Sequence, residues 1–250
     1  MNKQFIYNKH FFSLIEEGSR ASARAIVPMV TNLINPKSVV DVGCGQGVWL
    51  SVFKEEGISD LVGIDGDYVD KDKLEIPREN FITTNFNENF PEKTRNFDLV
   101  VSLEVAEHVN EKKADEFVSY LISLGGAVLF SAAIPFQGGV NHVNEQWQDY
   151  WISKFHEKGF VVVDCIRPKI WENKSVELWY KQNIFLFIKK ASLKNYPLLE
   201  EFLDRLIPLR LVHPDLWCSR EDLSKASLKQ KIAQCKILFL RYCRKKIGIK

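Results

Sequence analysis

The sequence of 250 residues has no long hydrophobic segment and few cysteines. Its longest apolar stretch, residues 125–136, is about 12 residues long, well short of the roughly 20 that span a bilayer. Residues 1–10 are too polar for a signal peptide. The five cysteines form neither a CxxC pair nor an even set, which suits a reducing compartment. We therefore expect a cytoplasmic protein.

The sequence also lacks internal repeats and low-complexity segments, which excludes a solenoid. Hydrophobic residues make up 46% of the chain and charged residues 26%, as in an average globular protein. This composition excludes a disordered chain and a coiled-coil rod. One compact domain with modest appendages is expected.

The net charge of +2 is unevenly distributed along the chain. Residues 220–250 contain ten basic residues against Glu221 and Asp222, so the first 219 residues carry a net charge of −6. An acidic body suits a small, positively charged ligand and argues against nucleic acid, although an RNA acceptor would profit from the basic tail. The pattern over 228–247 predicts a basic amphipathic helix, which docks on the acidic body or contacts an anionic membrane surface or a biosynthetic partner.

Short apolar runs alternate with helical patterns between residues 38 and 188. This alternation predicts a Rossmann-like α/β fold with a seven-stranded, mostly parallel sheet and helices on both faces. Residues 1–190 are expected to form this domain, with 1–36 as an N-terminal helical cap and 191–250 as a helical, basic C-terminal extension. We expect a break between two helices at 18–22, a helix from 145 to 158 and a last strand over 179–188. Ligands bind such sheets at the carboxyl ends of the strands.

A cluster of glycines follows the first predicted strand, in the order Asp41-Val-Gly43-Cys-Gly45-Gln-Gly47. Glycines let the backbone turn sharply and lie directly against a ligand. The spacing differs from the GxGxxG of dinucleotide sites, and a carboxylate at Asp41 would repel a pyrophosphate but attract an ammonium group. Asp65 ends the second predicted strand, where a carboxylate can accept hydrogen bonds from both hydroxyls of a ribose. A ribose, an ammonium, a carboxylate and a sulfonium together describe S-adenosylmethionine.

On these residues the chain resembles the class I S-adenosylmethionine-dependent methyltransferases, from about residue 20 to residue 189. A tight strand-to-helix turn would explain the glycines alone, but not the aspartates before and after them. The resemblance assigns eight residues to the cofactor: Asp41, Gly43 and Gly45 at the methionine end, Asp65 at the ribose, Asn85 and Phe86 at the adenine, and Ser102 and Leu103 at the methionine moiety.

Two histidines follow neighbouring predicted strands, His108 in the segment Glu104-Val-Ala-Glu107-His108 and His142 in a glycine-rich loop. Both loops leave the carboxyl ends of their strands, so the two histidines can converge on one cleft. Methyl transfer to a hydroxyl requires the loss of the hydroxyl proton, and a histidine oriented by a carboxylate is suited to remove it. We therefore expect His108, His142 and Glu107 to be catalytic.

The same segment is also similar to the ExxEH plus distant His set of the metal-dependent small-RNA ribose 2′-O-methyltransferases. That resemblance implies a divalent metal that activates the hydroxyl as a Lewis acid. Mg²⁺, Mn²⁺ and Zn²⁺ suit the ligand types about equally. A metal-free histidine base and purely structural histidines stay open beside it. The metal ligands would be Glu104, Glu107, His108 and His142.

Three further segments, at 131–135, 142–147 and 179–183, are similar to a bacterial subgroup found with capsule, O-antigen and related glycan biosynthesis. This resemblance implies a sugar-linked or other small polar acceptor and does not define the reaction. We expect O-methylation of a hydroxyl on a small, sugar-linked or capsule-precursor acceptor. The alternatives are metal-assisted 2′-O-methylation of RNA ribose, N-methylation of an amino sugar, and a non-catalytic scaffold of the same fold.

Overall fold

The computed structural model describes residues 9–93, 95–203 and 208–221. The chain divides into two compact units, residues 1–211 and residues 212–250. The predicted domain boundary at residue 190 therefore lies inside the first unit. In the second unit the structure describes one helix, α8 (Pro214–Glu221). The predicted basic amphipathic helix over 228–247 lies outside the described residues.

Seven strands form one sheet in the described part of the first unit, in the order β3-β2-β1-β4-β5-β7-β6. Strands β1 to β5 pair in parallel, whereas β7 runs antiparallel to both β5 and β6. This architecture confirms the predicted Rossmann-like α/β fold. The strand bounds are β1 (Ser38–Val42), β2 (Asp60–Asp65), β3 (Phe81–Thr83), β4 (Leu99–Leu103), β5 (Ala127–Ser131), β6 (Phe160–Val163) and β7 (Phe185–Lys189).

Helices cover both faces of the sheet. Successive side chains of a strand point to opposite faces, so neighbouring residues pack against different helices. Val39 of β1 packs in a core with the first two helices, while its neighbour Val40 packs with the third and fourth. No helix in the described ranges is both long enough and apolar enough to cross a membrane. The helices of the first unit are α1 (Lys9–Ile34), α2 (Val48–Glu55), α3 (Ala114–Leu124), α4 (Gln148–Glu157), α5 (Arg167–Ile170), α6 (Leu178–Asn183) and α7 (Glu200–Leu203).

Helix α1 is continuous, so the predicted break between two helices at 18–22 is wrong. The Ser22 hydroxyl donates a hydrogen bond to the Gly18 carbonyl at 2.7 Å, which satisfies this polar side chain within the helix. Gly18 also lets another segment approach closely, because a Cβ at this position would collide with the Glu177 carboxylate. Close packing thus outweighs the weak helix propensity of glycine and serine.

The predicted strand over 179–188 is also wrong in its first half, where the chain forms helix α6 before β7 begins at Phe185. The polar residues Gln182 and Asn183 lie at the end of α6 and are almost fully buried. Their side chains make hydrogen bonds to residues of distant loops, which local sequence patterns do not show.

Candidate active site

The loop between β1 and α2 turns sharply at the carboxyl edge of the sheet. The Gly43 N–H donates to the Ile64 carbonyl at 2.7 Å, which ties the loop to the end of β2. Gly43 has a φ of 90°, a left-handed value that glycine adopts without strain. A Cβ on Gly43 would collide with Val105, so the close approach of these two loops also requires glycine.

We expect Gly43→Ala to destabilise the fold by about 1–3 kcal/mol more than Gly57→Ala does, because of steric overlap with Val105. Gly57 is a matched control, since its φ of 88° is nearly the same but no atom lies within 4 Å of its added Cβ. The backbone strain is therefore common to both variants, and only Gly43→Ala adds the overlap. Urea unfolding of both variants measures the difference, and equal losses would contradict the close approach.

The Asp65 carboxylate connects the end of β2 to the glycine loop. It accepts hydrogen bonds at 2.6 Å from the N–H groups of Gly45 and Gly66, and a further one from the Tyr68 hydroxyl. Asp65 is only 3% exposed. These donors hold the carboxylate in a fixed orientation at the edge of the sheet.

Asp41, near the end of β1, is buried, and its carboxylate accepts no hydrogen bond from the described residues. Its burial, and then the negative charge of Asp65, raise the pKa of the Asp41 carboxyl well above its ordinary value. A cation beside Asp41 would compensate for both effects. The position therefore suits an ammonium group, as the sequence predicts.

We expect the free energy of unfolding of Asp41→Asn to rise relative to wild type as the pH increases from about 4. Because the folded protein binds the Asp41 proton more tightly than the unfolded chain does, wild type loses stability as the pH rises through this window. Urea unfolding at several pH values between about 4 and 8 measures the change.

Asp60→Asn is the control with the opposite sign. Two hydrogen bonds from Arg95 lower the pKa of Asp60, so this pair stabilises the fold above the unfolded pKa of Asp60. The variant should lose stability relative to wild type near neutral pH, and the loss should disappear as the pH falls through the lowered pKa. A pH-independent difference between Asp41→Asn and wild type would contradict the role of burial at Asp41.

A cavity of about 600 Å³ opens at the carboxyl ends of β1, β2 and β4. Four of the eight predicted cofactor residues line it: Gly43, Asp65, Asn85 and Phe86. The structure does not place the other four in the lining. Asp41, Ser102 and Leu103 are buried, and the Ser102 hydroxyl donates to the Val42 carbonyl at 2.9 Å. The Gly45 N–H binds Asp65 instead.

His108 lines one side of this cavity, and His142 lies next to His108. The two imidazole centroids are 4.9 Å apart and the rings meet edge to face. The Nε2 atom of His142 is 4.0 Å from Oε1 of Glu107. Burial lowers the pKa of His108, and the neighbouring His142 lowers it further. The two loops after β4 and β5 therefore converge as the sequence predicts.

Glu107 is the buried acid of this cluster, with 1% of its surface exposed. Burial raises its pKa well above the ordinary value, and the nearby Glu104 raises it further. Its Oε2 atom has no hydrogen-bond partner among the described residues. The Glu107 carbonyl accepts hydrogen bonds from the N–H groups of Val143 and Asn144 at 2.9 and 3.0 Å, which hold the His142 loop in place.

Glu145 orients His142, a role that the sequence analysis missed. Its carboxylate lies 3.0 Å from Nδ1 of His142 and accepts hydrogen bonds from the N–H groups of Phe136 and Gly138 at 2.8 and 2.7 Å. Burial acts to raise the pKa of Glu145, but these hydrogen bonds outweigh it and the pKa is lowered. Helix α4 begins at Gln148, so its predicted start at residue 145 is wrong.

Glu104 is the one predicted metal ligand that the structure does not bring to the cluster. Its two carboxylate oxygens accept hydrogen bonds from Gln137 at 2.7 Å and from Asn183 at 3.1 Å. The other three predicted ligands, Glu107, His108 and His142, each offer an atom, and these atoms lie within 4.8 Å of one another. One carboxylate and two imidazoles form a donor set that fits a divalent metal.

Comparisons with known proteins identify the type of domain. A family model described as a methyltransferase domain matches residues 14–163. The chain is 29% identical over 145 residues to the ribosomal protein L11 methyltransferase of Fusobacterium nucleatum, covering 54% of this chain and 42% of that protein. It is 31% identical over 111 residues to the mitochondrial ubiquinone biosynthesis O-methyltransferase of Dictyostelium discoideum, covering 38% of this chain and 34% of that protein. These matches span less than half the length of either relative.

A solved structure supports the fold. The methyltransferase domain of the bacterial protein CtHen1-C superposes with a TM-score of 0.50 and 20% sequence identity, covering 67% of this chain and 97% of that one. At this identity the likeness concerns the fold alone.

Proposed function

The chain belongs to the methyltransferase domain family, and we propose that it transfers a methyl group from S-adenosylmethionine to a hydroxyl of a small, sugar-linked acceptor. Membership of the family confirms the predicted enzyme class, an S-adenosylmethionine-dependent methyltransferase. The observation that carries the proposed reaction is the convergence of His108, His142 and Glu107 beside the cavity that Gly43 and Asp65 line.

The residues present fit the proposed cofactor. The cavity volume of about 600 Å³ lies within the range of about 300–1,000 Å³ typical of small-molecule sites. Oδ2 of Asp65 accepts one backbone hydrogen bond, at Gly45, and a carboxylate oxygen has capacity for a second donor such as a ribose hydroxyl. Asp41 lies outside the lining, and this buried carboxylate next to the glycine loop would attract the ammonium group by its charge. When bound, S-adenosylmethionine supplies a methyl group on a positively charged sulfur.

In the proposed reaction His108 accepts the proton of the acceptor hydroxyl. The lowered pKa keeps its imidazole neutral near pH 7, which a general base requires. The acceptor oxygen bonds to the methyl carbon as the carbon–sulfur bond breaks, and the bonding electrons remain on sulfur. Glu145 lies 3.0 Å from Nδ1 of His142, which fixes the ring with Nε2 facing Glu107 at 4.0 Å.

A metal-assisted reaction is a second candidate, supported by the unpartnered Oε2 atom of Glu107 and the two imidazoles beside it. A divalent cation held by Glu107, His108 and His142 would polarise the acceptor hydroxyl as a Lewis acid. This arrangement applies equally to a sugar hydroxyl and to an RNA ribose. Glu104 would support such a site only indirectly, because its two oxygens bind Gln137 and Asn183.

The sugar-linked acceptor is supported by the three segments that resemble the bacterial glycan subgroup. Two of them contact Glu104, whose N–H donates to the Ser131 carbonyl at 3.0 Å and whose carboxylate binds Asn183. The third segment, 142–147, carries His142 and Glu145. We place the function in capsule, O-antigen or related glycan biosynthesis, in the cytoplasm of a bacterium.

The test is to incubate the full chain with methyl-labelled S-adenosylmethionine and a panel of nucleotide sugars that includes amino sugars, and to locate the label by NMR and mass spectrometry. We expect the label in a methoxy group of a sugar. Label on an amino nitrogen would contradict O-methylation. Failure to bind S-adenosylmethionine in calorimetry would favour the non-catalytic scaffold.

A further inference from the structure

We propose that the acceptor of this enzyme carries a phosphate group and that this phosphate binds in a second cavity, which adjoins the first at His108. The inference rests on the proposed methyl transfer, since it concerns the substrate of the same site. The second cavity has a volume of about 480 Å³. It shares Asn87, His108 and Asn141 with the cavity proposed for the cofactor. An acceptor in the second cavity would therefore present a hydroxyl at His108.

The two adjoining cavities differ in charge. Among the described residues, the first cavity is lined by Asp65, Asp67 and Glu104 and by no lysine or arginine. The second is lined by Lys112 and Lys113 and by no aspartate or glutamate. The acidic cavity suits the cationic methyl donor, and the basic cavity suits an anionic acceptor. Complementary charges of this kind select partners and orient them.

Lys112 is the cationic group available to such a ligand. It is exposed, and its ammonium has no hydrogen-bond or ion-pair partner among the described residues. The neighbouring Lys113 is already engaged, because its Nζ donates to the Glu88 carbonyl at 2.9 Å and lies 5.6 Å from the ring centroid of Phe90. A phosphate in this cavity would therefore bind first to Lys112.

Two of the three asparagines that line the second cavity, Asn87 and Asn110, are held by hydrogen bonds. Asn87 donates to the His108 carbonyl at 3.1 Å and accepts from the Asn110 N–H at 2.9 Å. Asn110 in turn accepts from the Lys112 N–H at 3.1 Å. These bonds connect the loop after β3 to the loop that carries His108. A wall ordered before the ligand arrives loses little conformational entropy on binding.

Phosphate can reach this cavity from two sources, a sugar phosphate or the phosphodiester of an RNA end. We expect the sugar phosphate, because the volume of about 480 Å³ suits one small ligand and the described first unit offers only these two lysines beside His108. The probes are therefore glucose 1-phosphate, glucose and a dinucleoside monophosphate.

The experiment measures the affinity of each probe for the full chain by calorimetry, with and without S-adenosylhomocysteine. We expect glucose 1-phosphate to bind wild type and Lys174→Glu equally and to bind Lys112→Glu roughly tenfold more weakly, since a charge-assisted hydrogen bond is lost. Lys174 is a matched control, because it is an exposed lysine outside both cavities. The affinity should also fall as salt is added.

Equal affinity of glucose and glucose 1-phosphate, or equal affinity of Lys112→Glu and wild type for the phosphate ester, would overturn the inference. A dinucleoside monophosphate that binds more tightly than glucose 1-phosphate, and depends on Lys112, would support the phosphate site and assign it to RNA. If wild type does not bind S-adenosylhomocysteine, the proposed function is rejected. The dependence of phosphate binding on Lys112 can still be measured without S-adenosylhomocysteine, so the two failures are distinguishable.

Discussion

Replacing His108 with alanine is expected to lower turnover by about 10²–10⁴, the range for loss of a general base, while binding of S-adenosylmethionine is retained. His108 is the catalytic candidate that lines both cavities, and its lowered pKa leaves the imidazole free to accept a proton. The assay uses the acceptor identified by methyl labelling. His156→Ala is the control, because His156 is an exposed histidine on α4, outside both cavities. Wild-type turnover in His108→Ala would reject the histidine base.

Chelation separates the two mechanisms of hydroxyl activation. If the wild-type enzyme retains its activity in EDTA, His108 acts as a base without a metal. If EDTA abolishes activity and Mg²⁺ or Mn²⁺ restores it, Glu107, His108 and His142 hold a cation. In that case Glu107→Gln should be as damaging as His142→Ala, whereas Glu104→Gln should be milder, because the Glu104 carboxylate binds Gln137 and Asn183.

Asp65→Ala is expected to weaken binding of S-adenosylhomocysteine by about 1.5–3 kcal/mol, because charge-assisted hydrogen bonds to the ribose disappear. The substitution also removes the acceptor for the N–H groups of Gly45 and Gly66, so the glycine loop loses its link to β2. Calorimetry measures the affinity, and a thermal melt checks that the variant is folded.

Asp67→Ala is the matched control for Asp65→Ala. Asp67 lies two residues away, lines the same cavity and carries the same charge, but it holds no hydrogen bond to the glycine loop. We expect a much smaller loss of affinity in this variant. An equal loss would show that overall negative charge, and not the geometry of Asp65, determines cofactor binding. Unchanged affinity in Asp65→Ala would reject its assignment to the ribose.

The cofactor end of the site could be predicted well from sequence because its features are local. Gly43 and Asp65 each stand directly after a short apolar run, and the carboxyl ends of parallel strands meet at one edge of the sheet. His108 and His142 were likewise predicted to converge, since each follows a strand of the same sheet. The structure places Gly43, Asp65 and His108 in the lining of one cavity, and His142 packs against His108.

Several secondary structure elements could not be predicted, because distant contacts outweigh local preference. The segment Gly18–Ser22 is typical of a break, yet it is helical, with the Ser22 hydroxyl bonded to the Gly18 carbonyl and Glu177 packed against Gly18. Gln182 and Asn183 end a helix where the apolar pattern predicts strand, and Asn183 binds Glu104, 79 residues earlier in the chain. Such contacts depend on strand order and not on sequence neighbours.

The sequence by itself determined the fold class, the glycine loop and the histidines at the carboxyl edge, because short-range patterns and the parallel arrangement of strands are sufficient for them. Only the tertiary structure decided the role of each glutamate at the site. Glu145 orients His142, Glu107 is buried beside it, and Glu104 binds Gln137 and Asn183. The basic cavity beside His108 is likewise visible only in the tertiary structure. The physical reason is that these assignments depend on side chains from several loops, whose separations are set when the strands pair.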